Sequence, residues 1–87
     1  MRIDKFLCFV RLVKTRGLAQ RLVEAGHLRV NGRPIDRSAV EVRPGMVLSF
    51  PLHERVRIVR IETLPVRRGP PVEALACYTD LSPPTAG

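Results

Sequence analysis

The stretch KTRGLAQRLVEAGHLRVNG, residues 14–32, contains the change of hydrophobic period that decides the fold. In its first half the apolar residues recur at the spacing of one helix face: Leu18, Ala19, Leu22, Val23 and Ala25. Thr15 is a favourable N-cap for this helix, and Gly26 suits the left-handed residue that follows a helix C-terminus. The first half of the stretch therefore predicts an amphipathic helix that ends at Gly26.

The second half of the same stretch alternates with a period of two residues. Leu28 and Val30 point to one side of an extended chain, and the polar residues next to them point to the other. Asn31-Gly32 then predicts a type I′ hairpin turn, because both central residues of that turn need a positive φ. We expect a short return strand from Arg33 to Ile35, which the proline within it confines to a sheet edge.

Upstream of this stretch, the spacing of another apolar set predicts a first helix: Ile3, Phe6, Leu7, Val10 and Val13. Asp4 is placed to cap the start of this helix, and Lys5 and Arg11 point away from its apolar side. The two helices meet at Lys14-Thr15 and form a helix-turn-helix unit.

Downstream, the period of two residues continues. Arg43-Pro44-Gly45 is typical of a turn before a strand from Met46 to Phe50, and residues 55–64 predict a longer strand. The alternation slips where Ile58 and Val59 are adjacent, so we expect either a bulge or local burial of both faces there. A helix-turn-helix pair packed on a small, mostly antiparallel sheet indicates an α+β fold.

The C-terminal part differs in composition and predicts a short third helix. Pro71 suits a first helical turn, and Pro83-Pro84 marks the end of the segment. Four apolar residues are expected to share one face of this helix: Val72, Leu75, Ala76 and Tyr78. We therefore divide the chain into a domain of residues 1–65, an extension of residues 66–81 with the short helix, and a disordered tail of residues 82–87.

Positive charge is concentrated at the start of the chain. The chain carries 15 basic and 8 acidic residues, a net charge of +7, and residues 1–33 hold eight of the basic and two of the acidic ones. A uniformly solubilising surface does not divide in this way, so the pattern favours one localised face for a polyanion. Nucleic acid is the first candidate for that polyanion.

Aromatic residues are too scarce to suggest recognition of bases. Phe6, Phe9 and Phe50 are assigned to the core rather than to base stacking. A surface rich in charge and poor in exposed rings recognises the shape of a nucleic-acid backbone more than base identity.

The residues that catalysis needs do not occur in a typical pattern. The two histidines and eight carboxylates show no spacing of a metal site or catalytic triad, and the sequence has no glycine-rich phosphate loop. Cys8 and Cys77 are expected to be free, buried thiols. A domain of this size buries only about 60–65% of its unfolded surface, which disfavours a deep cavity. We therefore expect a non-enzyme with no catalytic residue, metal, cofactor or small-molecule substrate.

Membrane association is not expected either. No apolar run approaches the roughly 18 residues of a membrane span, and the N-terminus has no signal-peptide core. The sequence indicates a cytoplasmic protein.

Three segments resemble a known family. RIDKFL near the start, the stretch of residues 14–32 and RPGMVLSF from Arg43 resemble the RNA-binding domain named after small-subunit ribosomal protein S-four, also called the alpha-L motif. This resemblance covers residues 1 to about 50 and identifies residues 1–65 as the RNA-binding domain. The segment that follows, especially RRGP at residues 67–70, is similar to the ribosome-associated heat-shock protein 15 family.

The resemblance implies binding of structured RNA by the helix pair and the first hairpin. For the heat-shock family the implied partner is ribosomal RNA of the large ribosomal subunit, together with tRNA on subunits left by abortive translation, in a heat-shock and ribosome-rescue role. By position, the implied RNA-binding residues are Arg2, Asp4, Lys5, Arg11, Lys14, Thr15, Arg16, Gln20, Arg21, His27, Arg29, Asn31 and Gly32. Asp4 is expected to orient basic neighbours, since a carboxylate repels phosphate.

Two alternatives stay open at this point. A DNA-binding helix-turn-helix protein also explains basic helices, although the second helix offers few base-reading side chains beyond Gln20 and Arg21. The chain also fits an RNA-targeting module for a separate RNA-modifying enzyme, because this domain type is often appended to such enzymes.

Overall fold

The change of period separates a helical part from a sheet, as predicted. The computed structural model describes residues 1–82. Within them the elements are, in chain order, α1 (Ile3–Phe9), α2 (Arg16–Glu24), β1 (Leu28–Val30), β2 (Arg33–Ile35), β3 (Val47–Leu52), β4 (Arg55–Ile61), α3 (Pro71–Ala76) and β5 (Tyr78–Asp80). The described strands form one five-stranded sheet in the order β2-β1-β3-β4-β5, with antiparallel neighbours. The predicted α+β fold is confirmed.

Helix α1 is shorter than predicted, because the chain reverses direction directly after it. Phe9 is its last residue, and Arg11 takes a left-handed φ of 62°. The N–H groups of Leu12 and Val13 both donate to the carbonyl of Leu7, each at 3.1 Å. The assignment of Val13 to the helix is therefore wrong, although its side chain is buried as its apolar character requires.

Helix α2 begins and ends as predicted. Thr15 Oγ1 accepts the N–H of Leu18 at 3.1 Å, and Gly26 follows the helix with a φ of 82°. The buried face is rotated from the predicted one, since Ala19 is fully buried while Leu18 and Ala25 are exposed. The helix turns a small side chain inward where α1 packs against it.

The predicted hairpin is confirmed in its turn type and its pairing. Asn31 and Gly32 have φ values of 51° and 83°, as a type I′ turn requires. Strand β2 lies at the sheet edge, and its Pro34 stands opposite Arg29 of β1. Leu28 faces the core and is fully buried.

Strands β3 and β4 form the longest pairing of the described sheet. Their two-residue turn, His53-Glu54, has φ values of 51° and 63°, and the register continues along both strands. The expected bulge is therefore wrong, and the slip in alternation reflects burial instead. Val59 is fully buried on the core side, and Ile58 on the other side is half-buried and donates its N–H to Ser82 Oγ at 2.8 Å.

Helix α3 begins at Pro71 as predicted but buries a different face. Ala74 and Cys77 are buried. Three residues of the predicted apolar face are exposed: Val72, Leu75 and Ala76. The helix ends at Ala76, so the fourth residue, Tyr78, lies in a strand instead. The spacing was consistent with more than one face because six residues make fewer than two helical turns.

Strand β5 was not predicted. Its three residues pair with β4, and Tyr78 stands opposite Ile61. A strand this short gives too little alternation to detect in a sequence. Ser82 belongs to the predicted disordered tail but is bonded to Ile58, and residues 83–87 lie outside the described residues.

One hydrophobic core joins the helices to the sheet. It contains residues from α1, the junction after it, α2 and strands β1, β3 and β4, among them Ile3, Phe6, Leu7, Val10, Val13, Ala19, Val23, Leu28, Leu48, Phe50, Val59 and Ile61. The assignment of Phe6 and Phe50 to the core is confirmed, whereas the assignment of Phe9 is wrong, because its ring is only half-buried at the end of α1. Because the helix pair and β1 share this core, the positions of their outward side chains are fixed relative to one another.

Candidate nucleic-acid interface

The buried carboxylate of Asp4 joins the N-terminus of α1 to α2. Arg2 donates to it with two nitrogens, Nε to Oδ1 at 3.2 Å and Nη2 to Oδ2 at 3.1 Å. From α2, Arg16 Nε donates to Oδ2 at 3.3 Å and Gln20 Nε2 donates to the same atom at 3.0 Å. The N–H of Lys5 donates to Oδ1 at 2.8 Å. We call Asp4 with Arg2, Arg16 and Gln20 the carboxylate cluster.

The predicted capping role of Asp4 is wrong, and its predicted orienting role fits the geometry. Arg2 is the N-cap residue, and Asp4 lies within the first turn of α1, where its side chain has no exposed surface. A buried charge is tolerated when its hydrogen bonds are satisfied, as they are here. Asp4 therefore holds Arg2 and Arg16, whose side chains are 42% and 47% exposed, while its own side chain has no exposed surface.

Asp4 is ionised in the folded protein. Burial acts to raise its pKa, but hydrogen bonds from Gln20, Arg2, the Lys5 N–H and Arg16 together outweigh burial and lower the pKa below its ordinary value. The carboxylate cluster thus contains one negative and two positive side chains. Its net positive charge is directed outward.

The α1–α2 junction, residues 10–15, presents further basic residues. Lys14 and Arg11 are exposed, and Arg11 Nε donates to the carbonyl of Gly69 at 2.8 Å. The hydroxyl of Thr15 is occupied by its capping bond. Lys5, just upstream in α1, places its ammonium 5.2 Å from the centre of the Phe9 ring.

The hairpin residues of the predicted site divide between two roles. His27, Arg29, Asn31 and Gly32 are all exposed. Asn31 Oδ1 accepts the N–H of Val47 at 2.8 Å, so its side chain fixes the hairpin to β3. Because side chains alternate along a strand and Leu28 faces the core, Arg29 lies on the opposite face of the sheet. Arg29 therefore lies on the side of the sheet that faces away from the helix pair.

Ion pairs compensate only some of the basic residues. Near the C-terminus, Arg57, Arg60 and Arg67 each pair with a carboxylate, those of Asp80, Glu62 and Glu73 respectively. Among residues 1–82, Lys14, Arg21, Arg29 and Arg33 have no carboxylate within ion-pair distance. The uncompensated charge of the described chain therefore includes the outer face of α2 and the first hairpin.

Sequence reasoning missed one side chain at this surface. Arg68 Nη1 donates to the carbonyls of Cys8 and Lys14, at 2.9 and 3.0 Å. The contact joins positions 60 and 54 residues apart. Local periodicity cannot indicate such a pairing.

Neither a metal-binding group nor a membrane-spanning helix occurs within residues 1–82. Within residues 1–82, no three His, Cys, Asp or Glu side chains are grouped to hold a metal ion. Cys8 and Cys77 are free; Cys77 is buried and Cys8 only half-buried. In that same part of the chain, no helix is long and apolar enough to cross a membrane.

Comparison with known proteins agrees with this geometry. The family model for the S4 domain matches residues 1–48. Ribosomal protein uS4 of Chlamydia muridarum is 42% identical over 62 residues, which are 71% of this chain and 29% of that protein. The chain thus spans less than a third of the length of this relative.

Two relatives match over most of their length. The RQC P-site tRNA stabilizing factor of Bacillus subtilis is 34% identical over 64 residues, 74% of this chain and 73% of that protein. The solved structure of heat shock protein 15 from Vibrio cholerae, described as trimeric, has a TM-score of 0.86 and 29% identity, and the match covers 92% of this chain and 80% of that one. By name, these relatives are ribosomal, tRNA-stabilising or heat-shock proteins.

Both resemblances inferred from the sequence are thereby confirmed. The segments around residues 2–7, 14–32 and 43–50 belong to the matched domain or directly follow its end, and the match with the heat-shock relative extends over 92% of this chain. The chain belongs to the S4 domain family of RNA-binding proteins.

Proposed function

We propose that this chain binds structured ribosomal RNA without catalysing a reaction, with the large ribosomal subunit as its target and ribosome rescue after heat stress as its role. The observation that carries the proposal is the segregation of charge. Residues 1–33 hold eight of the 15 basic residues and only two acidic ones, and Lys14, Arg21 and Arg29 among them have no carboxylate partner within residues 1–82. Uncompensated cations on the helix pair, and Arg29 on the first hairpin, suit a phosphate backbone.

The chemistry of the surface favours recognition of RNA shape. Guanidinium groups match phosphate oxygens in geometry, and each neutralised phosphate releases counterions. Phe6 and Phe50 are buried, and Lys5 lies over the ring of Phe9. Since these rings are not displayed for stacking, base identity is a minor part of the proposed recognition.

The proposed roles of the site residues follow from their positions. We assign phosphate contact to the exposed or half-exposed basic side chains: Arg2, Lys5, Lys14, Arg16, Arg21, His27 and Arg29. We assign support to residues whose polar atoms are already bonded or whose turn geometry is needed: Asp4, Arg11, Thr15, Gln20, Asn31 and Gly32.

Two relatives support the proposed contact with tRNA and the proposed role after heat stress. The name of the Bacillus subtilis factor includes stabilisation of P-site tRNA, and the Vibrio cholerae neighbour is a heat shock protein. For this chain we propose tRNA as a second contact beside the ribosomal RNA. Residues 1–65 form the proposed RNA-binding domain, and residues 66–81 complete its sheet through β5.

The test is a binding series with purified large subunits, small subunits, tRNA and duplex DNA at several salt concentrations. We expect affinity for the large subunit to exceed the others and to fall steeply as salt rises. A salt-independent affinity would overturn RNA-backbone binding. Preference for duplex DNA would instead favour the helix-turn-helix alternative, and preference for small subunits would overturn the large-subunit target. Co-purification of an RNA-modifying enzyme would favour the targeting-module alternative.

A further inference from the structure

Arg68 lies outside the matched residues 1–48 and contacts both ends of the α1–α2 junction. Its Nη1 donates to the carbonyl of Cys8 at 2.9 Å, near the end of α1, and to the carbonyl of Lys14 at 3.0 Å, just before α2. The same nitrogen is 3.1 Å from Cys8 Sγ. A terminal guanidinium nitrogen carries two N–H groups, which matches the two carbonyls.

The junction has backbone bonds of its own, since the N–H of Arg11 donates to the Cys8 carbonyl at 3.1 Å and those of Leu12 and Val13 donate to the Leu7 carbonyl. Arg68 adds bonds from outside the junction. The last turn of α1 has the sequence FLCF and so carries no basic side chain to satisfy the carbonyls there. The chain between the helices is irregular, with Arg11 in the left-handed region at a φ of 62°. Arg68 supplies a cation at this helix C-terminus, where positive charge is favourable.

A second bond runs in the reverse direction. Arg11 Nε donates to the carbonyl of Gly69 at 2.8 Å. An arginine of each segment thus bonds a carbonyl of the other. We call these contacts, Arg68 with Cys8 and Lys14 and Arg11 with Gly69, the junction clasp.

The neighbouring arginine has a different role. Arg67 pairs with Glu73 of α3 at 3.0 Å, and its side chain is 67% exposed. It lies beside Arg68 in the chain and carries the same charge, but its ion pair stays within the extension. Arg67 is therefore a matched control for Arg68.

We propose that Arg68 is a positioning residue for RNA binding, which acts by holding the junction so that Lys14 stands on one surface with the carboxylate cluster and its Arg16. The proposal rests on the proposed function. The carbonyl of Lys14 accepts the bond from Arg68. Arg16 lies two residues later in the chain, and its Nε donates to Oδ2 of Asp4 at 3.3 Å. A shift of the junction moves Lys14 relative to Arg16.

The test compares Arg68→Ala with Arg67→Ala in an RNA-binding assay on the full chain. We expect Arg68→Ala to weaken binding about five- to tenfold, as loss of a charge-assisted bond does, and Arg67→Ala to change it by less than about twofold. Amide hydrogen exchange of the free protein provides a second readout. In Arg68→Ala, the N–H groups of Leu12 and Val13 are expected to exchange faster, because both lie in the junction.

A double-mutant cycle separates positioning from direct contact. If Arg68 acts by positioning Lys14, the losses from Arg68→Ala and Lys14→Ala are less than additive, whereas Arg68→Ala and Arg21→Ala are additive. Additive losses with Lys14, unchanged exchange and a salt slope lowered by about one indicate a direct phosphate contact and overturn the proposal. Unchanged binding in Arg68→Ala also overturns it.

Two further controls keep the outcome decisive. If Arg68→Ala does not fold, Arg68→Gln, which keeps a shorter donor, is expected to show the same exchange change and a smaller loss of binding; normal exchange and binding would overturn the clasp. Failure of the proposed function is distinguishable, because the unmodified chain would then show no salt-dependent RNA binding. If the unmodified chain binds RNA and Arg21→Ala weakens binding while Arg68→Ala does not, the proposed role of Arg68 is wrong and the proposed function stands.

Discussion

Gln20 Nε2 lies 3.0 Å from Oδ2 of Asp4, and this bond joins the middle of α2 to the first turn of α1. The same carboxylate holds Arg2 and Arg16. The carboxylate that joins the two helices is therefore also the one that holds Arg2 and Arg16, two of the proposed RNA-binding cations. We therefore expect the stability of the helix pair and the proposed RNA binding to depend on one buried side chain.

We expect Asp4→Ala to lower the free energy of unfolding by about 2–3 kcal/mol, because it removes the buried acceptor that Arg2, Lys5 N–H, Arg16 and Gln20 share. Urea unfolding measures the change. Asp80→Ala is the matched control, since Asp80 also pairs with an arginine but is half-exposed; we expect a loss below about 1 kcal/mol there. Equal losses in the two variants would show that burial of Asp4 does not increase its contribution to the free energy of unfolding.

The stability of the protein is expected to fall in acid. Burial raises the pKa of Asp4, but the bonds from Gln20, Arg2, Lys5 and Arg16 outweigh it, so the folded pKa is lower than the unfolded one. A group with a lowered folded pKa stabilises the protein fully above its unfolded pKa of about 3.9, and the contribution is lost as the pH falls through the folded pKa.

Unfolding free energies measured from pH 7 to pH 2 check this expectation. The lowered pKa values of Glu41, Glu62 and Asp80 contribute in the same direction. Asp4→Asn is therefore expected to flatten the acid dependence without removing it. An unchanged acid profile in Asp4→Asn would contradict the assigned direction of its pKa.

Two glycines are expected to respond in opposite ways to alanine. Gly32→Ala should destabilise the protein by about 1 kcal/mol, because the φ of 83° is strained for a residue with a Cβ. Gly17→Ala should stabilise it by about 0.5–1 kcal/mol, because Gly17 lies inside α2 and an added Cβ meets no atom within 4 Å. Thermal unfolding of both variants tests the pair. The same sign for both would mean that backbone conformation does not decide the effect.

Much of the fold could be predicted because its signals are local. Thr15, Gly26 and Asn31-Gly32 each act within a few residues, and each occupies the predicted cap or turn. Val13 and Leu18 were misassigned because helical spacing indicates burial but not where a helix ends or how it rotates. These features depend on packing between α1 and α2.

The candidate site was predictable only in part, for the same reason. Charge along the chain indicates the basic segment, but the sequence does not show which cations are compensated. Arg60 and Arg21 are alike as residues, yet Arg60 bonds Glu62 at 2.6 Å and Arg21 has no such partner within residues 1–82. The contacts of Arg68 with Cys8 and Lys14 span more than 50 residues and are fixed by the tertiary structure.

The contrast between Arg21 and Arg60 gives a direct prediction for RNA binding. Arg21→Ala is expected to weaken RNA binding by about 1–2 kcal/mol and to lower the salt slope by about one, because the proposed function assigns this uncompensated cation to phosphate contact. Arg60→Ala is the matched control: it removes the same charge from an exposed side chain that already pairs with Glu62. Titration of labelled RNA at three or more salt concentrations measures both quantities. Equal effects of the two variants would mean that net charge, rather than the surface of the helix pair, governs binding.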